Sequence, residues 1–283
     1  MAENSPRENA SYAEWLPLAH ELADAAGVVI RQYFRSPSLD LDLKSDQSPV
    51  TVADREAERV MRAILMDRAP SHGILGEELG CSDTDLDLDQ REWVWVLDPI
   101  DGTKAFLSGK PTFGTLIALV HRGVPVLGVI DQAVLHERWV GYKGGSTTLN
   151  GQPVRVRRID NNTLESERLL PFIYVHATHP SMFQGSEADW EKFRNLERNC
   201  RQSIFGSDCY AYALLASGCI DLVVEADLKP WDFLALSPVV ENAGGVFTDW
   251  NGQGISLKSD GRVIAAASQQ IHEESIQYLR DGD

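Results

Sequence analysis

Residues 95–103 read Trp95-Val96-Leu97-Asp98-Pro99-Ile100-Asp101-Gly102-Thr103. An apolar strand here ends in two carboxylates separated by a proline turn, and a glycine and a hydroxyl follow them. Hard divalent cations bind several oxygen ligands at once, and a strand end can hold Asp98, Asp101 and the carbonyl of Ile100 rigidly. The alternative is an ordinary hairpin turn in which the two aspartates are turn formers. The stretch therefore predicts either a metal site or a turn.

Two other acidic motifs could meet this strand end. Glu77, in Gly76-Glu77-Glu78, follows an apolar pair, and Asp232 precedes an apolar helix predicted at 233–240. Taken alone, Glu77 is also typical of an exposed acidic turn and Asp232 of a helix N-cap. Gly102 and Thr103 lead into residues 104–107, where free backbone N–H groups could hold a phosphate. Together these features predict one site with four acids, a hydroxyl and an anion-binding turn.

The bulk composition limits the class of protein. With 283 residues, of which 43% are hydrophobic, the chain can form one large domain or two packed lobes. Its 26 basic and 42 acidic residues give a net charge of −16, which repels polyanions and argues against a nucleic-acid surface. No stretch approaches the roughly 20 apolar residues that cross a bilayer. The four cysteines form no zinc or redox motif, so we expect reduced thiols, no membrane partner and a cytoplasmic protein.

Hydrophobic periodicity predicts helices first and then strands in the first half of the chain. Apolar residues recur at helical spacing over 15–30, and a second helix begins at a capping box, residues 51–54, and continues to Leu65. The segment 39–49 between them is a polar excursion. From Trp93 the pattern predicts neighbouring strands of one sheet at 94–97, 115–120, 124–130 and 139–142.

The second half alternates helices and strands, which indicates layered α/β packing. The predicted elements are strand 169–175, helix 189–196, helix 209–217, strand 220–225, helix 233–242 and strand 245–248. The chain becomes polar near residue 160. We therefore predict a flexible terminus at 1–10, an N-terminal lobe at 11–160 that carries most of the metal ligands, and a C-terminal lobe at 161–283 that completes the site.

Three ordered motifs resemble the signature of the inositol monophosphatase superfamily. They are Gly76-Glu77-Glu78, Asp98-Pro99-Ile100-Asp101-Gly102-Thr103 and Trp231-Asp232. Lys44, residues 50–54 and the glycine pair at 244–245 match as well, so the resemblance covers nearly the whole chain. It implies an αβαβα sandwich of two lobes, with the active site between them. Relatives are commonly dimers, which implies a homodimer here.

The resemblance also assigns roles to individual residues. Five groups would be the magnesium ligands, for two or three ions: Glu77, Asp98, the carbonyl of Ile100, Asp101 and Asp232. Glu77 and Thr103 would position and activate the attacking water, with Asp98 as the third catalytic residue. Asp54 corresponds to an acid near the metals, or it simply ends the capping box. Inhibition by Li⁺ is expected, because a small monovalent ion can occupy one metal position.

A narrower resemblance points to the histidinol-phosphate phosphatase branch. It rests on residues 104–109, 113–119, 208–212 and 228–230. Ala105 departs from the branch, which more often has serine there, and so do Ala226-Asp227 and Trp231. These departures leave the predicted metal ligands untouched and concern the substrate.

The charge of the substrate explains the predicted chemistry. A phosphate monoester is a dianion, and metal ions neutralise both partners and stabilise the attacking and leaving oxygens of an in-line displacement. Asp208 and Glu225 are candidates for binding the leaving group, since histidinol carries an ammonium and an imidazole. Alternatively each is a solvated helix cap or strand end. The predicted substrate-binding residues are Gly102, Thr103, Asp208, Glu225 and Asp232.

Three functions are thus open at the level of sequence. The first is hydrolysis of L-histidinol phosphate to L-histidinol and phosphate in histidine biosynthesis. The second is a phosphatase for inositol phosphate, for a broad set of sugar phosphates or for an adenosine bisphosphate. The third is a scaffold of the same fold in which catalysis is incidental, although a scaffold has no need of all four acids.

Overall fold

The computed structural model describes residues 12–36, 41–43, 49–81, 88, 91–158 and 168–280, with the backbone alone at 41–43 and 49–51. Lys44, the boundary near 160 and the terminus 1–10 lie outside these residues. The helices are α1 Leu16–Tyr33, α2 Val52–Arg68, α3 Thr103–Leu107, α4 Glu187–Asn199, α5 Tyr210–Ala216, α6 Pro230–Phe233, α7 Leu236–Glu241 and α8 Gln269–Leu279. Short 3₁₀ helices lie at Tyr12–Trp15, Leu170–Phe172 and Pro180–Phe183.

The strands form two large sheets and a hairpin. They are β1 Leu41–Leu43, β2 Pro49–Thr51, β3 Gly73–Gly76, β4 Gly80–Cys81, β5 Trp93–Asp101, β6 Gly114–His121, β7 Val124–Gln132, β8 Glu137–Tyr142, β9 Thr148–Leu149, β10 Gln152–Pro153, β11 Tyr174–Ala177, β12 Gln202–Phe205, β13 Leu222–Glu225, β14 Val246–Asp249 and β15 Val263–Ala266. The first sheet has the order β10-β9-β8-β7-β6-β5-β3-β4, and the second has the order β12-β11-β13-β15-β14. Strands β1 and β2 pair as a separate hairpin.

The two faces of the first sheet contribute to different hydrophobic cores. Alternate side chains along β5 point to opposite faces of the sheet. Trp95 and Leu97 pack with α1 and α2, whereas Val94 and Val96 pack with α5, α7 and the second sheet. Helices α4 and α8 cover the outer face of the second sheet. The layers therefore run helix, sheet, helix, sheet, helix, which confirms the predicted αβαβα sandwich.

The predicted elements of the first half are confirmed apart from one added strand, and two elements of the second half need correction. Segment 169–175 contains a 3₁₀ helix followed by β11, because Pro171 has no N–H for a strand ladder. The predicted helix 233–242 is two helices, α6 and α7, and Pro238 falls in the first turn of α7, where a missing N–H is tolerated. Strand β1 lies inside the segment expected to be a polar excursion.

The two sheets divide along the chain between Pro153 and Tyr174, but they share one core. The division into lobes at 160 stays a prediction. Among the described residues, no helix is long and apolar enough to span a bilayer. The four cysteines are free thiols.

Candidate metal centre and substrate cavity

The end of β5 is an irregular strand end and not a hairpin turn. Its pairing with β6 slips between Asp98, which faces Leu116, and Asp101, which faces Gly114. Thr115 donates from its buried hydroxyl to the carbonyl of Pro99 at 2.8 Å, which fixes the irregular backbone between the two acids. The turn interpretation of Asp98 and Asp101 is therefore wrong, because both belong to β5.

Three carboxylates from two elements meet at this strand end. Asp98, Asp101 and Asp232 each offer an oxygen, and these oxygens lie within 4.8 Å of one another. The backbone N–H of Cys209 donates to Asp101 Oδ2 at 2.8 Å, and that of Lys229 donates to Asp232 Oδ2 at 2.7 Å. The bond from Lys229 is a capping bond of α6, so Asp232 caps its helix through one oxygen and joins the cluster as well.

Glu77 reaches the cluster from the neighbouring strand. Strand β3 runs parallel to β5 and pairs Gly76 with Leu97, so the next residue, Glu77, lies beside Asp98. The Glu77 N–H donates to the Leu97 carbonyl at 3.1 Å. Repulsion from Glu77 and a hydrogen bond between the two side chains help to raise the pKa of Asp98. Glu77 is half-buried, so it is not the exposed turn residue that its local sequence allowed.

The cluster concentrates negative charge in a buried place. Burial, followed by repulsion from Glu77, Asp101 and Asp232, raises the pKa of Asp98 well above its usual value. Burial and the neighbouring Asp208 do the same to the pKa of Asp101, and burial raises the pKa of Asp232 to about 7. Such a cluster favours either protonation or a bound cation.

The oxygens of Asp98 indicate most directly whether the cluster is protonated or binds a cation. Asp98 is 1% exposed, and its buried Oδ1 has no hydrogen-bond partner within the described residues. Buried polar atoms are nearly always satisfied, and carboxylate oxygens are the ligands that Mg²⁺ prefers. The donor set therefore fits a hard divalent cation.

Ile100, Gly102 and Thr103 continue the chain directly from these acids. The Thr103 hydroxyl donates to the carbonyl of Ile100 at 3.2 Å. Gly102 has φ +81°, and a Cβ there would lie 2.8 Å from Cγ of Asp208, so this left-handed turn requires glycine. Helix α3 begins with Thr103. The roles of these residues in binding metal, water and phosphate stay predictions.

Asp232 is placed by close packing of its helical segment on the first sheet. A Cβ at Gly128 in β7 would lie 1.9 Å from the Ala235 carbonyl oxygen, and one at Gly141 in β8 would lie 2.3 Å from that of Pro238. Only glycine permits this approach of helix backbone to strand. The contact brings the segment that follows Asp232 close to the first sheet.

A cavity of about 110 Å³ adjoins two of the three clustered carboxylates. Asp101 and Asp232 line it together with the two predicted substrate residues, Asp208 and Glu225. Glu225 is 3% exposed at the end of β13, so it is not a solvated strand end. Asp208 is half-buried and has φ +45°. The structure thus brings both acids to the cluster, while their contact with a substrate stays a prediction.

The hydrogen-bond partners of Glu225 were not predicted from the sequence. The Thr178 N–H donates to Glu225 Oε1 at 2.7 Å, and the Tyr212 hydroxyl donates to Glu225 Oε2 at 2.9 Å. Burial nevertheless raises the pKa of Glu225 to about 7. Tyr212 could have been predicted to bind a buried polar group, since a tyrosine on the apolar face of a helix needs a hydrogen-bond partner for its hydroxyl. Asp54, the proposed neighbour of the metals, is 1% exposed in the first turn of α2.

A sequence model of the inositol monophosphatase family matches residues 11–282. The chain belongs to this family. It is therefore a phosphatase, a hydrolase of phosphoric monoesters, and its three clustered carboxylates could hold the metal of a magnesium-dependent family. The family resemblance drawn from the three motifs is confirmed.

Individual relatives extend over nearly the whole chain. The bifunctional phosphatase IMPL2, chloroplastic, of Arabidopsis thaliana is 43% identical over 99% of this chain and 82% of its own length. A histidinol-phosphatase of Chlorobaculum parvum is 34% identical over 95% of this chain and 97% of its own. The solved structure of an inositol monophosphatase from Zymomonas mobilis has a TM-score of 0.82 at 43% identity, covering 95% of this chain and 99% of that one.

Proposed function

We propose that this phosphatase hydrolyses L-histidinol phosphate to L-histidinol and phosphate in histidine biosynthesis. The observation that carries the proposal is the pair of acids, Asp208 and Glu225, in the cavity beside the three clustered carboxylates. A leaving group with an ammonium and an imidazole would pair with these acids, whereas an uncharged polyol would bring no cation to them. Histidinol-phosphatases at 30–34% identity support the same choice.

The same proposal assigns the metal ligands. Mg²⁺ would be held by Glu77, Asp98, the carbonyl of Ile100, Asp101 and Asp232, and the unpaired Asp98 Oδ1 supports this set. When bound, the metal would supply positive charge that offsets the phosphate dianion and makes water more acidic. Two or three ions, and inhibition by Li⁺, remain predictions of the family resemblance.

The protein's own groups would orient the reactants. Thr103 and Glu77 flank the acids at the end of β5, so they can hold a water for in-line attack on phosphorus. The first turn of α3 follows directly, and its N–H groups would bind phosphate oxygens next to Gly102. Glu225, fixed by Thr178 and Tyr212, would bind the cationic leaving group.

The substrate is tested by comparing kcat/KM for histidinol phosphate and inositol 1-phosphate, with Mg²⁺ saturating. We expect histidinol phosphate to be preferred. Glu225→Gln should lower its kcat/KM by about tenfold or more, because a hydrogen bond between charged groups contributes roughly 1.5–3 kcal/mol. The same variant should change the value for inositol 1-phosphate much less.

The second candidate is an inositol phosphatase, which the likeness to the Zymomonas mobilis inositol monophosphatase favours. Preference for inositol 1-phosphate, with equal losses on both substrates in Glu225→Gln, would select it and reject the histidinol assignment. Turnover of neither substrate, nor of fructose 1,6-bisphosphate or adenosine 3′,5′-bisphosphate, would favour the scaffold. The cytoplasmic location stays a prediction.

A homodimer is also part of the proposal, and one surface supports it. Strand β12 lies at the edge of the second sheet, so within the described part of the chain one side of its backbone has no neighbouring strand. Ile204 and Phe205 on β12 are 38% and 37% exposed, and Tyr174 on β11 is 36% exposed. An edge strand with exposed apolar side chains is a favourable surface for pairing with a second copy.

Light scattering on a sizing column tests this surface. The wild type should have twice the mass of one chain, and Ile204→Lys should shift it toward the mass of one chain. Met66→Lys is the control, since Met66 is 68% exposed on α2, in the other half of the molecule. A dimer that Ile204→Lys leaves intact, or a wild type with the mass of one chain, would reject the proposal.

A further inference from the structure

A buried carboxylate on α2 lies beneath the turn that carries Glu77. Glu58 is 0% exposed, on the same face of α2 as the buried Ala57 and Met61. Its Oε2 accepts the backbone N–H of Glu78 at 2.8 Å, and its Oε1 accepts that of Leu79 at 3.2 Å. A charged group at a core position of a helix requires partners, and here the backbone of a turn supplies them.

The residue before Glu77 is built around this carboxylate. A Cβ at Gly76 would lie 2.1 Å from Oε1 of Glu58 and 2.4 Å from its Cδ. Since real Cβ atoms do not approach other atoms so closely, only glycine lets the carboxylate pass under the end of β3. Gly76 and Glu58 are therefore matched in shape.

Arg62, one turn further along α2, binds both Glu58 and the end of the same turn. Its Nε donates to Glu58 Oε1 at 2.7 Å, which balances the buried charge. Its guanidinium also donates to the carbonyl of Gly80, at the far end of the turn. Glu58 and Arg62 thus hold both the N–H groups at the middle of turn 76–80 and the carbonyl at its end.

The turn 76–80, which Glu58 and Arg62 bind, carries one residue that faces the metal centre. The Glu77 N–H is bonded to Leu97 on β5, and the next two N–H groups are bonded to Glu58. Glu77 is thereby fixed between two structures, and its side chain faces Asp98. A small tilt of the turn would move Glu77 relative to the other three acids.

We propose that Glu58 and Arg62 are positioning residues that set the place of Glu77 and thereby the affinity of the site for Mg²⁺. The inference rests on the proposed function only in taking Glu77 as a metal ligand. It does not depend on the substrate. Residues that orient metal ligands typically change metal affinity or activity by 10–100-fold when they are replaced.

The test is calorimetric titration of Mg²⁺ into the metal-free full-length chain, with urea unfolding of the same samples. Glu58→Gln removes the charge and one acceptor, and we expect the Kd for Mg²⁺ to rise by about tenfold or more. With Mg²⁺ well below saturation, kcat should fall with the bound fraction. The KM for substrate, measured at saturating Mg²⁺, should stay near that of the wild type.

Glu56→Gln is the matched control on the same helix. Glu56 accepts a hydrogen bond from the Tyr33 hydroxyl at 2.9 Å, which joins α2 to α1 without touching the turn. It should lower the free energy of unfolding and leave the Kd for Mg²⁺ unchanged. If Glu58→Gln likewise lowers the free energy of unfolding and leaves the Kd for Mg²⁺ unchanged, Glu58 is merely structural and the proposal is overturned.

A gentler variant covers the case in which Glu58→Gln does not fold. Arg62→Lys keeps a positive charge beside Glu58 but cannot bridge to Gly80, so the Kd should rise in the same direction by a smaller factor. A wild-type Kd in this folded variant would overturn the proposal. Mg²⁺ binding without turnover of any substrate would reject the proposed function alone, whereas no Mg²⁺ binding by the wild type would reject both.

Discussion

Asp98 is nearly inaccessible, yet one of its oxygens has no hydrogen-bond partner among the described residues. Burial and three neighbouring carboxylates raise its pKa, so the ionised form is unfavourable while no cation is bound. Asp98→Asn should therefore increase the metal-free free energy of unfolding at pH 7 by about 1 kcal/mol or more. The increase is measured by urea unfolding in chelator.

The control for this variant is Asp67→Asn, because the Asp67 side chain is 82% exposed on α2. It should leave the free energy of unfolding within about 0.5 kcal/mol of the wild-type value. A loss of stability in Asp98→Asn would mean that the Asp98 carboxylate is satisfied in the metal-free protein, which would contradict this prediction.

Glu225 should make the stability depend on pH in a predictable direction. Burial raises its pKa from 4.5 to about 7, so between these values the folded chain keeps a proton that the unfolded chain releases. The free energy of unfolding should then fall as the pH rises from about 4.5 to about 7, with a contribution from Glu225 of about 3 kcal/mol.

Glu225→Gln has no such proton, so its free energy of unfolding should fall less over this range. The measurement is urea unfolding of both proteins in chelator at pH 5, 6, 7 and 8. Asp98 and Asp101 also have raised pKa values, but Glu225 is not among the causes, so their contributions cancel in the difference. Burial and, in part, Glu225 raise the pKa of Asp232, so the difference also contains a smaller contribution from Asp232 of the same sign. Parallel curves would contradict the assigned pKa of Glu225.

The acids at the centre were predictable from the sequence, but their partners were not. Asp98 and Asp101 stand in one motif, and the family resemblance adds Glu77 and Asp232 from distant parts of the chain. Glu58 has no motif. The sequence shows only that a carboxylate stands on the apolar stripe of α2. Its role depends on contact with the turn that follows β3, which sequence spacing does not show.

At the scale of elements, two glycines set the place of Asp232. Gly128→Ala would put a methyl group against the Ala235 carbonyl oxygen and push the segment of α6 and α7 away from β7. We expect a loss of about 1–3 kcal/mol in the free energy of unfolding and weaker Mg²⁺ binding. Urea unfolding and calorimetric titration measure the two effects.

Gly185→Ala is the matched control, because no atom of the described residues lies within 4 Å of a Cβ at Gly185 and its φ is not in the left-handed region. It should leave both measurements unchanged. If Gly128→Ala retains wild-type Mg²⁺ affinity, the packing of α7 on the first sheet does not determine where Asp232 lies.

The elements that the sequence predicts poorly have identifiable physical causes. Pro171 and Pro238 each interrupt a segment whose apolar pattern is continuous. Pro171 lies in a 3₁₀ helix that is followed by a strand, and Pro238 lies in the first turn of a new helix. Strand β15 is buried on both faces, so its residues, Val-Ile-Ala-Ala, show no alternation that would predict a strand. Helix α1, by contrast, carries a clear helical period, and β5 is a longer apolar run although it too is buried on both faces.

At the scale of the whole molecule, the proposed metal site joins parts of the chain that are far apart in sequence. Asp98 and Asp101 come from the first sheet, Glu77 from the turn after β3, and Asp232 from a helix between the sheets. Mg²⁺ binding should therefore stabilise the entire fold, by about 3 kcal/mol at a hundredfold excess over Kd. Thermal unfolding at rising Mg²⁺ concentrations measures this, and Asp98→Asn should show little or no shift.

The most direct test of the central claim is phosphate release from histidinol phosphate, inositol 1-phosphate, fructose 1,6-bisphosphate and adenosine 3′,5′-bisphosphate. It compares the wild type, Asp98→Asn and Asp67→Asn, each with Mg²⁺ and with chelator. We expect Mg²⁺-dependent release that is greatest from histidinol phosphate. Asp67→Asn should keep this release, and Asp98→Asn should reduce it by at least about a hundredfold. Release that persists in chelator, or that Asp98→Asn leaves intact, would contradict that claim.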